Sequence, residues 1–416
     1  MALKDSAGAS QHTGSHGLDA LLSLRAIGCL MVLVAHCQPP REFFWVLGYD
    51  FSWLFFAGGG IAVRMFFVLS GYLMGKAFYT GRYLLNYRSI LEFYRNRLLR
   101  IAPLYYFAIF FLAIFVYSQS LAIENWGYLL RLLTFTYNHS LPLLFNAPLW
   151  TLSTEVQFYL VVPFIFALLQ PRLRRLHEIT IAAIAVVVFV SIYRWVIWIT
   201  PLKMNLIAYW YTPLIANLDV FLLGFLVNPL LRCDRVRLGW ESWTLKRNFW
   251  KSWQSPIAIA PIALLYLWTS FHIYYGELRN LPGHPGGIQT AIAFFLFPLM
   301  TAIATAIFIA IVEFDPPTKA GDRLPKSSQL SVQTCLNNPL RIIEVFGHLS
   351  YGIYVWHWPI LGQIAPIFTA DLPLESFTRK LIATFLLSTV VAIVTFYLVE
   401  RPAARWKRYR WRSRQS

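Results

Sequence analysis

Four side-chain groupings in this sequence have types and spacings that suit chemistry, and all of them fall inside or beside apolar runs. Arg25 and His36 lie in LDALLSLRAIGCLMVLVAHC, residues 18–37. At ~100° per residue their separation is three turns plus about 20°, so one helix face carries both, roughly 16 Å apart along the axis. A helix facing lipid all round does not tolerate such a stripe. Ionisable groups within a span usually face a bundle interior or a wet cavity, and read as functional candidates. Glu155, in PLWTLSTEVQFYLVVPF, is costly at that depth unless paired, and Arg25, Arg64 and His36 are its expected partners. Arg97 and Arg100, in YRNRLLRIAPLYY, are neighbours on a helix, and arginine forks suit the phosphate oxygens of a nucleotide-bearing donor. His357 stands between two tryptophans in LSYGIYVWHWPI.

Each grouping has a plainer reading. Arg25 snorkels to one interface while His36 caps its helix at the other. Arg97 and Arg100 serve only as topology signals. Glu155 belongs to a structural ion pair, and Asp219 in NLDVFLLGFL leans further that way. His357 is an interfacial aromatic anchor. Ser70-Gly71, downstream of Arg64 in RMFFVLSGYLM, provides either close helix contact or backbone approach to a ligand. Trp150 and Tyr159 flank Glu155 and are candidate pocket residues with His357 and Asp219.

The elements that must position these residues follow from composition. The chain is 57% hydrophobic and only 13% charged, against roughly 25% charged in an ordinary globular domain. Apolar blocks recur along nearly its whole length, at roughly 20–37, 56–79, 102–118, 147–170, 178–200, 207–231, 255–272, 288–313, 338–366 and 377–399. Each approaches the ~20 residues needed to cross ~30 Å of hydrocarbon, and only helices span with runs this long. The expected fold is therefore all-α and polytopic, with about ten transmembrane helices in a lipid bilayer.

The net charge of +17 sits in short segments between the blocks, so it calls for no nucleic acid. Placing the N-terminus in the cytoplasm puts Arg82 to Arg100, Arg172 to Arg175, Arg232 to Lys251 and the terminal Arg401 to Arg414 inside, so both termini are expected there. Three units are expected: a polar tail at 1–17, a membrane domain at 18–406 and a basic tail at 407–416. The loop 232–254 is expected on the inner leaflet, and 315–336 as a flexible connection. Four scattered cysteines give neither a disulfide framework nor a zinc site, and no metal is expected.

Taken together, these stretches resemble acyltransferase family 3, the multispan O-acyltransferases that modify bacterial surface glycans and some small molecules. The resemblance runs from Leu18 to about Trp406. It rests on LDALLSLRAIGCLMVLVAHC, FFVLSGYLM, YRNRLLRIAPLYY, PLWTLSTEVQFYLVVPF, LDVFLLGFL, LSYGIYVWHWPI and YLVERPAARW, in that order. The family's Arg-x10-His pairing falls on Arg25 and His36, its Arg-x-x-Arg on Arg97 and Arg100, and the acidic residue of its W-[ST]-L-[ST]-x-E-x-Q-F-Y pattern on Glu155. The Leu-Leu-Ser run is a departure: family members read closer to G-L-D-x-L-R-A, so no role for Asp19 with Arg25 is carried over. Some members carry an appended SGNH-type esterase domain, and none is expected here.

The resemblance implies transfer of an acyl group, most often acetyl, from acyl-coenzyme A as co-substrate to a sugar hydroxyl, with no permanently bound cofactor. His36 would be the general base, Glu155 would orient its imidazole, and Arg25 would stabilise the oxyanion or position the donor. Arg97 and Arg100, with Arg64, Ser70 and Gly71 nearby, would hold the donor. The acceptor would be a carbohydrate or glycolipid, such as lipid-linked O-antigen of lipopolysaccharide or another polysaccharide, and the location the bacterial inner (plasma) membrane. A transporter or flippase of lipid-linked sugars is the alternative reading.

Overall fold

Caps and prolines punctuate the apolar runs into helices. The structure, a computed structural model, describes residues 19–56, 59–137, 146–245, 254–275, 288–314 and 332–405. Both expected tails, residues 246–253 of the basic loop and most of the connection 315–336 lie outside the described residues. Helix α1 (Ala20–His36) starts where the Asp19 carboxylate accepts the backbone N–H of Leu22 at 3.0 Å. A two-residue-per-strand hairpin follows, β1 (Trp45–Val46) with β2 (Tyr49–Asp50), turning through Leu47 and Gly48 at positive φ. Then come α2 (Gly60–Tyr79) and α3 (Tyr87–Phe111), the latter capped by Asn86 and prolonged by a π-helical turn, Leu112–Val116. The short α4 (Trp126–Leu133) leads to α5 (Leu149–Leu169) and α6 (Leu176–Ile199).

The sixth apolar block is not one helix. It breaks into a π-helical turn (Ile207–Tyr211), a 3-10 turn (Ile215–Asn217) and α7 (Leu218–Arg232). Pro213 has no N–H to continue a ladder, and Asn217 Nδ2 donates to the carbonyls of Tyr211 and Pro213, both at 2.9 Å. Next are α8 (Asp234–Leu245), α9 (Gln254–Tyr274), α10 (Ile288–Glu313), α11 (Val332–Asn337), α12 (Ile342–Ile364) and α13 (Pro373–Thr395), which ends in a π-helical turn, Phe396–Glu400.

Among the described residues, α2, α3, α5, α6, α7, α10 and α13 are long and apolar enough to cross a membrane. The chain is thus an all-α integral membrane protein. The count of about ten spans is not confirmed: α1 and the Ala258–Tyr274 part of α9 are apolar but shorter. The exposed stripe Ile184, Val188 and Ile192 on α6 shows how lipid-facing helices are built, with apolar groups one turn apart pointing outward.

Small residues set the closest helix contacts. A Cβ on Gly71 would lie 1.9 Å from the carbonyl oxygen of Phe221, and one on Gly224 would lie 2.0 Å from that of Val68, so α2 and α7 touch backbone to backbone. Gly347 brings α12 against Leu22 of α1 in the same way. Gly28 likewise meets the Phe66 ring of α2, so α1 packs against both α2 and α12 with Arg25 and His36 lining the interior cavities.

Candidate active site

Two adjoining cavities occupy the bundle interior. The first, about 830 Å³, is lined by Arg25 of α1, Ser70 of α2, Arg97 and Arg100 of α3, Thr151, Glu155 and Tyr159 of α5, and Ser350, Tyr351 and Tyr354 of α12. Glu155 Oε1 accepts hydrogen bonds from the Tyr159 hydroxyl, at 2.5 Å, and from the Ser70 hydroxyl. The i,i+4 spacing of Glu155 and Tyr159 stacks them on one helix face. Arg25 lies within electrostatic reach of Glu155, Arg100 and Tyr159. Arg97 is half-buried and stacks over Phe93 at 5.8 Å, whereas Arg100 is exposed. Both arginines sit in the body of α3, because that helix begins well before the apolar block does. Three guanidiniums and one carboxylate thus line a single space, with Glu400 within electrostatic reach of Arg25 and Arg100, an arrangement suited to an anionic ligand.

The second cavity, about 850 Å³, is lined by His36, Trp150, Tyr211 and Trp358, among others. His36 is half-buried at the C-terminal end of α1, with the Trp358 indole edge-on at 4.9 Å. Its Nδ1 lies 2.8 Å from Nε2 of the fully buried His357, whose own Nδ1 donates to the Tyr354 carbonyl at 2.7 Å. Val63 and Tyr354 line both cavities and form the wall between them. The hydroxyls of Tyr354 and Thr151 are 2.9 Å apart, and both reach the Pro148 carbonyl, at 3.3 and 3.0 Å. Pro359 deprives the Val355 carbonyl of its helical N–H partner, and Asn146 Nδ2 donates to it instead at 3.0 Å. The α12 turn bearing Tyr354 and His357 is therefore fastened to the start of α5 at two points.

The structure brings Arg25, Ser70, Arg97, Arg100, Glu155 and Tyr159 into the first cavity, and His36 and Trp150 into the second. It puts the remaining candidates elsewhere. Glu155 is hydrogen-bonded to hydroxyls rather than to the His36 ring, and His357 holds that ring. Gly71 packs on α7, because its missing side chain is what admits the Phe221 backbone. Arg64 is buried, donates to the Gly60 carbonyl at 3.1 Å, and lies over Trp210, Tyr211 and Phe297, so it is not among the first cavity's lining. Asp219 is engaged at 2.9 Å by both terminal nitrogens of Arg194 in a sealed pair.

Sequence alone does not single out Arg194, Thr151, Tyr211, Tyr354 or Trp358. Arg194 carries a signal, a lone arginine inside the apolar run SIYRWVIWI, which calls for a buried acidic partner. Tyr354 precedes His357 at helical spacing, and Trp358 is its chain neighbour. Nothing local marks Thr151 or Tyr211.

Comparison with known proteins gives this site a context. An Acyltransferase domain family matches residues 18–401. The chain is 24% identical over 403 residues to the O-acetyltransferase OatA of Staphylococcus aureus (strain NCTC 8325 / PS 47), covering 93% of this chain and 56% of that protein. It is 24% identical over 406 residues to the putative peptidoglycan O-acetyltransferase YrhL of Bacillus subtilis (strain 168), covering 93% and 54%. With the peptidoglycan O-acetyltransferase OatA of Listeria monocytogenes it shares 22% over 398 residues, covering 91% and 54%. The chain thus spans about half the length of these relatives. No solved structure matches it. With nearly every described helix inside the matched region, the chain belongs to this acyltransferase family.

Proposed function

We propose that the chain is a membrane O-acyltransferase that moves an acyl group, most simply acetyl, from acyl-coenzyme A to a hydroxyl of a bacterial surface glycan. The observation that carries this reading is the pair of adjoining cavities, one rich in arginine and the other holding an imidazole, with Val63 and Tyr354 lining both. Residues 18–406 form the catalytic unit in the plasma membrane. With the N-terminus in the cytoplasm, the arginine cavity faces the side where acyl-coenzyme A is made, and His36 lies toward the outer side. The names of the relatives make peptidoglycan the first acceptor to test.

In this reading Arg97 and Arg100 grip the donor's phosphates, and the acyl thioester extends inward past Arg25 toward the Tyr354 wall. Arg25, three helical turns from His36, uses its fork to position the donor in the first cavity. Glu155 sets the positions of Ser70 and Tyr159 by accepting both hydroxyls and offsets part of the arginine charge. His36 takes the proton of the acceptor hydroxyl as its oxygen bonds to the acyl carbon. The carbon–sulfur bond breaks, and the proton ends on the departing thiolate. Acyl ester and free coenzyme A are the products.

The test uses the purified protein in liposomes with isotope-labelled acetyl-coenzyme A and peptidoglycan fragments. Transfer is expected for the wild type. His36→Gln should lose ~10²–10⁴-fold in rate per folded molecule, because glutamine keeps a hydrogen bond but accepts no proton at neutral pH. Near wild-type turnover in that variant would remove His36 from the chemistry.

A further inference from the structure

We propose that His357 is the positioning residue that holds the His36 imidazole in a single tautomer, with Nδ1 carrying the proton and Nε2 left as the basic nitrogen. The inference rests on the acyl-transfer reading only for the use to which that nitrogen is put. The ring assignment itself follows from hydrogen-bond bookkeeping.

The Tyr354 carbonyl can only accept. The His357 Nδ1 at 2.7 Å from it must therefore carry a hydrogen. His357 is fully buried, and its hydrogen-bonding partners are backbone carbonyls of its own helix and His36, none of them anionic. A cationic ring there would be an unpaired buried charge, so the resting ring is neutral and its Nε2 offers a lone pair. That lone pair lies 2.8 Å from His36 Nδ1; the ring planes differ by only 3°, and the centroids are 5.1 Å apart, a separation that parallel rings reach with this nitrogen contact only when the two nitrogens lie between the centroids, in the plane of both rings. Two lone pairs do not bond each other, so His36 Nδ1 is the donor. Only one proton is available to a neutral imidazole, and His36 Nε2 is left bare.

The support for this relay is stiff. The Tyr354 side chain is tied to Thr151 and Pro148 of the α5 start, and Asn146 holds the next carbonyl, that of Val355. The carbonyl that fixes His357 thus belongs to a turn secured against its neighbours. When His36 takes up a proton, its Nδ1–H bond to His357 becomes charge-assisted and stronger. A neutral imidazole does the orienting work often given to a carboxylate, without placing a second ion beside the base at membrane depth.

Two substitutions separate this role from mere packing. In His357→Gln the amide oxygen can still accept from His36 Nδ1. In His357→Met a side chain of similar reach offers no comparable acceptor. Purified variants in liposomes, matched for folded protein by size exclusion, are assayed for acetyl transfer with kcat and KM resolved. The expected outcome is a kcat drop on the order of 10²-fold for methionine, with donor KM unchanged, and recovery to within about tenfold of wild type for glutamine. Equal losses in both folded variants, or wild-type kcat in the methionine variant, would overturn the positioning role.

A second readout needs no activity. Histidine nitrogen NMR of ¹⁵N-labelled protein in lipid, with His36 assigned by difference against His36→Gln, should show a protonated Nδ1 and a bare Nε2 in the wild type, and a mixture in His357→Met. A mixture already present in the wild type would defeat the assignment. A clean signature in a wild type that transfers no acyl group would support the ring assignment and defeat the acyl-transfer reading instead.

Discussion

Asp219 and Glu155 are both carboxylates on largely apolar helices, yet Asp219 meets a guanidinium fork and Glu155 meets two neutral hydroxyls. The Arg194–Asp219 pair is sealed: each side chain is at most 2% exposed, and Arg194 spends a further hydrogen bond on the Ala216 carbonyl. The pair fastens α6 to the start of α7, with the buried Arg64 within electrostatic reach of it. Around Glu155 three arginines line a cavity, and a second carboxylate, Glu400, lies within electrostatic reach of Arg25 and Arg100. An ionisable residue inside a membrane helix is therefore not by itself a mark of chemistry. What separates the two sites is whether the charged groups are sealed in packed protein or face a space.

Breaking the sealed pair should have the largest effect. Arg194→Ala leaves Asp219 buried without its partner, which costs about 3–5 kcal/mol. The expected result is loss of folded protein, read as yield and thermal midpoint in detergent. Glu155→Gln should be mild by the same measure, since an amide can still accept from Tyr159 and Ser70, while transfer activity falls. If Arg194→Ala were as stable as wild type, or Glu155→Gln as damaging to folding, the contrast between sealed and open charge would collapse.

The next effect down concerns the two α3 arginines that line the cavity. Arg97→Ala or Arg100→Ala should weaken acyl-coenzyme A binding by about 1.5–3 kcal/mol for each charge-assisted hydrogen bond removed, with folding intact. Calorimetric titration of purified protein with the donor checks this. Unchanged affinity in both variants would make them topology signals and leave the cavity's excess charge without a ligand.

The helical architecture was legible because a run near twenty apolar residues has few other uses. The count was not, since crossing depends on where helices start and break. Hydropathy places the third block at 102–118, but α3 already begins at Tyr87, so the helix that carries Arg97 and Arg100 runs well ahead of the apolar stretch. Pro213 and Asn217 give warning that the sixth block is interrupted. Within the site, pairings between helical neighbours could be read, as with Glu155 and Tyr159, because spacing alone decides them. The bond from His36 to His357 joins residues 321 positions apart, and nothing in either stretch names the other. Gly71 shows the limit from the opposite side: its small size was legible, but only the structure shows that α7 fills the space.

The smallest effect tests the wall between the two cavities, where Tyr354 lines both and its hydroxyl meets that of Thr151. Thr151→Val keeps the volume and removes the hydroxyl that Tyr354 meets at 2.9 Å. The Tyr354 hydroxyl retains its longer contact to Pro148, so the stability loss should stay near 0.5–1.5 kcal/mol, about one ordinary hydrogen bond. The functional consequence is the more telling one. A Tyr354 ring held less firmly lets water pass between the cavities, and hydrolysis of donor without acceptor should rise relative to transfer. Thr151→Ser, which restores the hydroxyl, should return the ratio to the wild-type value. Measuring coenzyme A release with and without glycan for the three proteins decides the matter. An unchanged ratio in Thr151→Val would mean that the packing of Val63 and the Tyr354 ring alone separates the chambers, and that the hydroxyls only add stability.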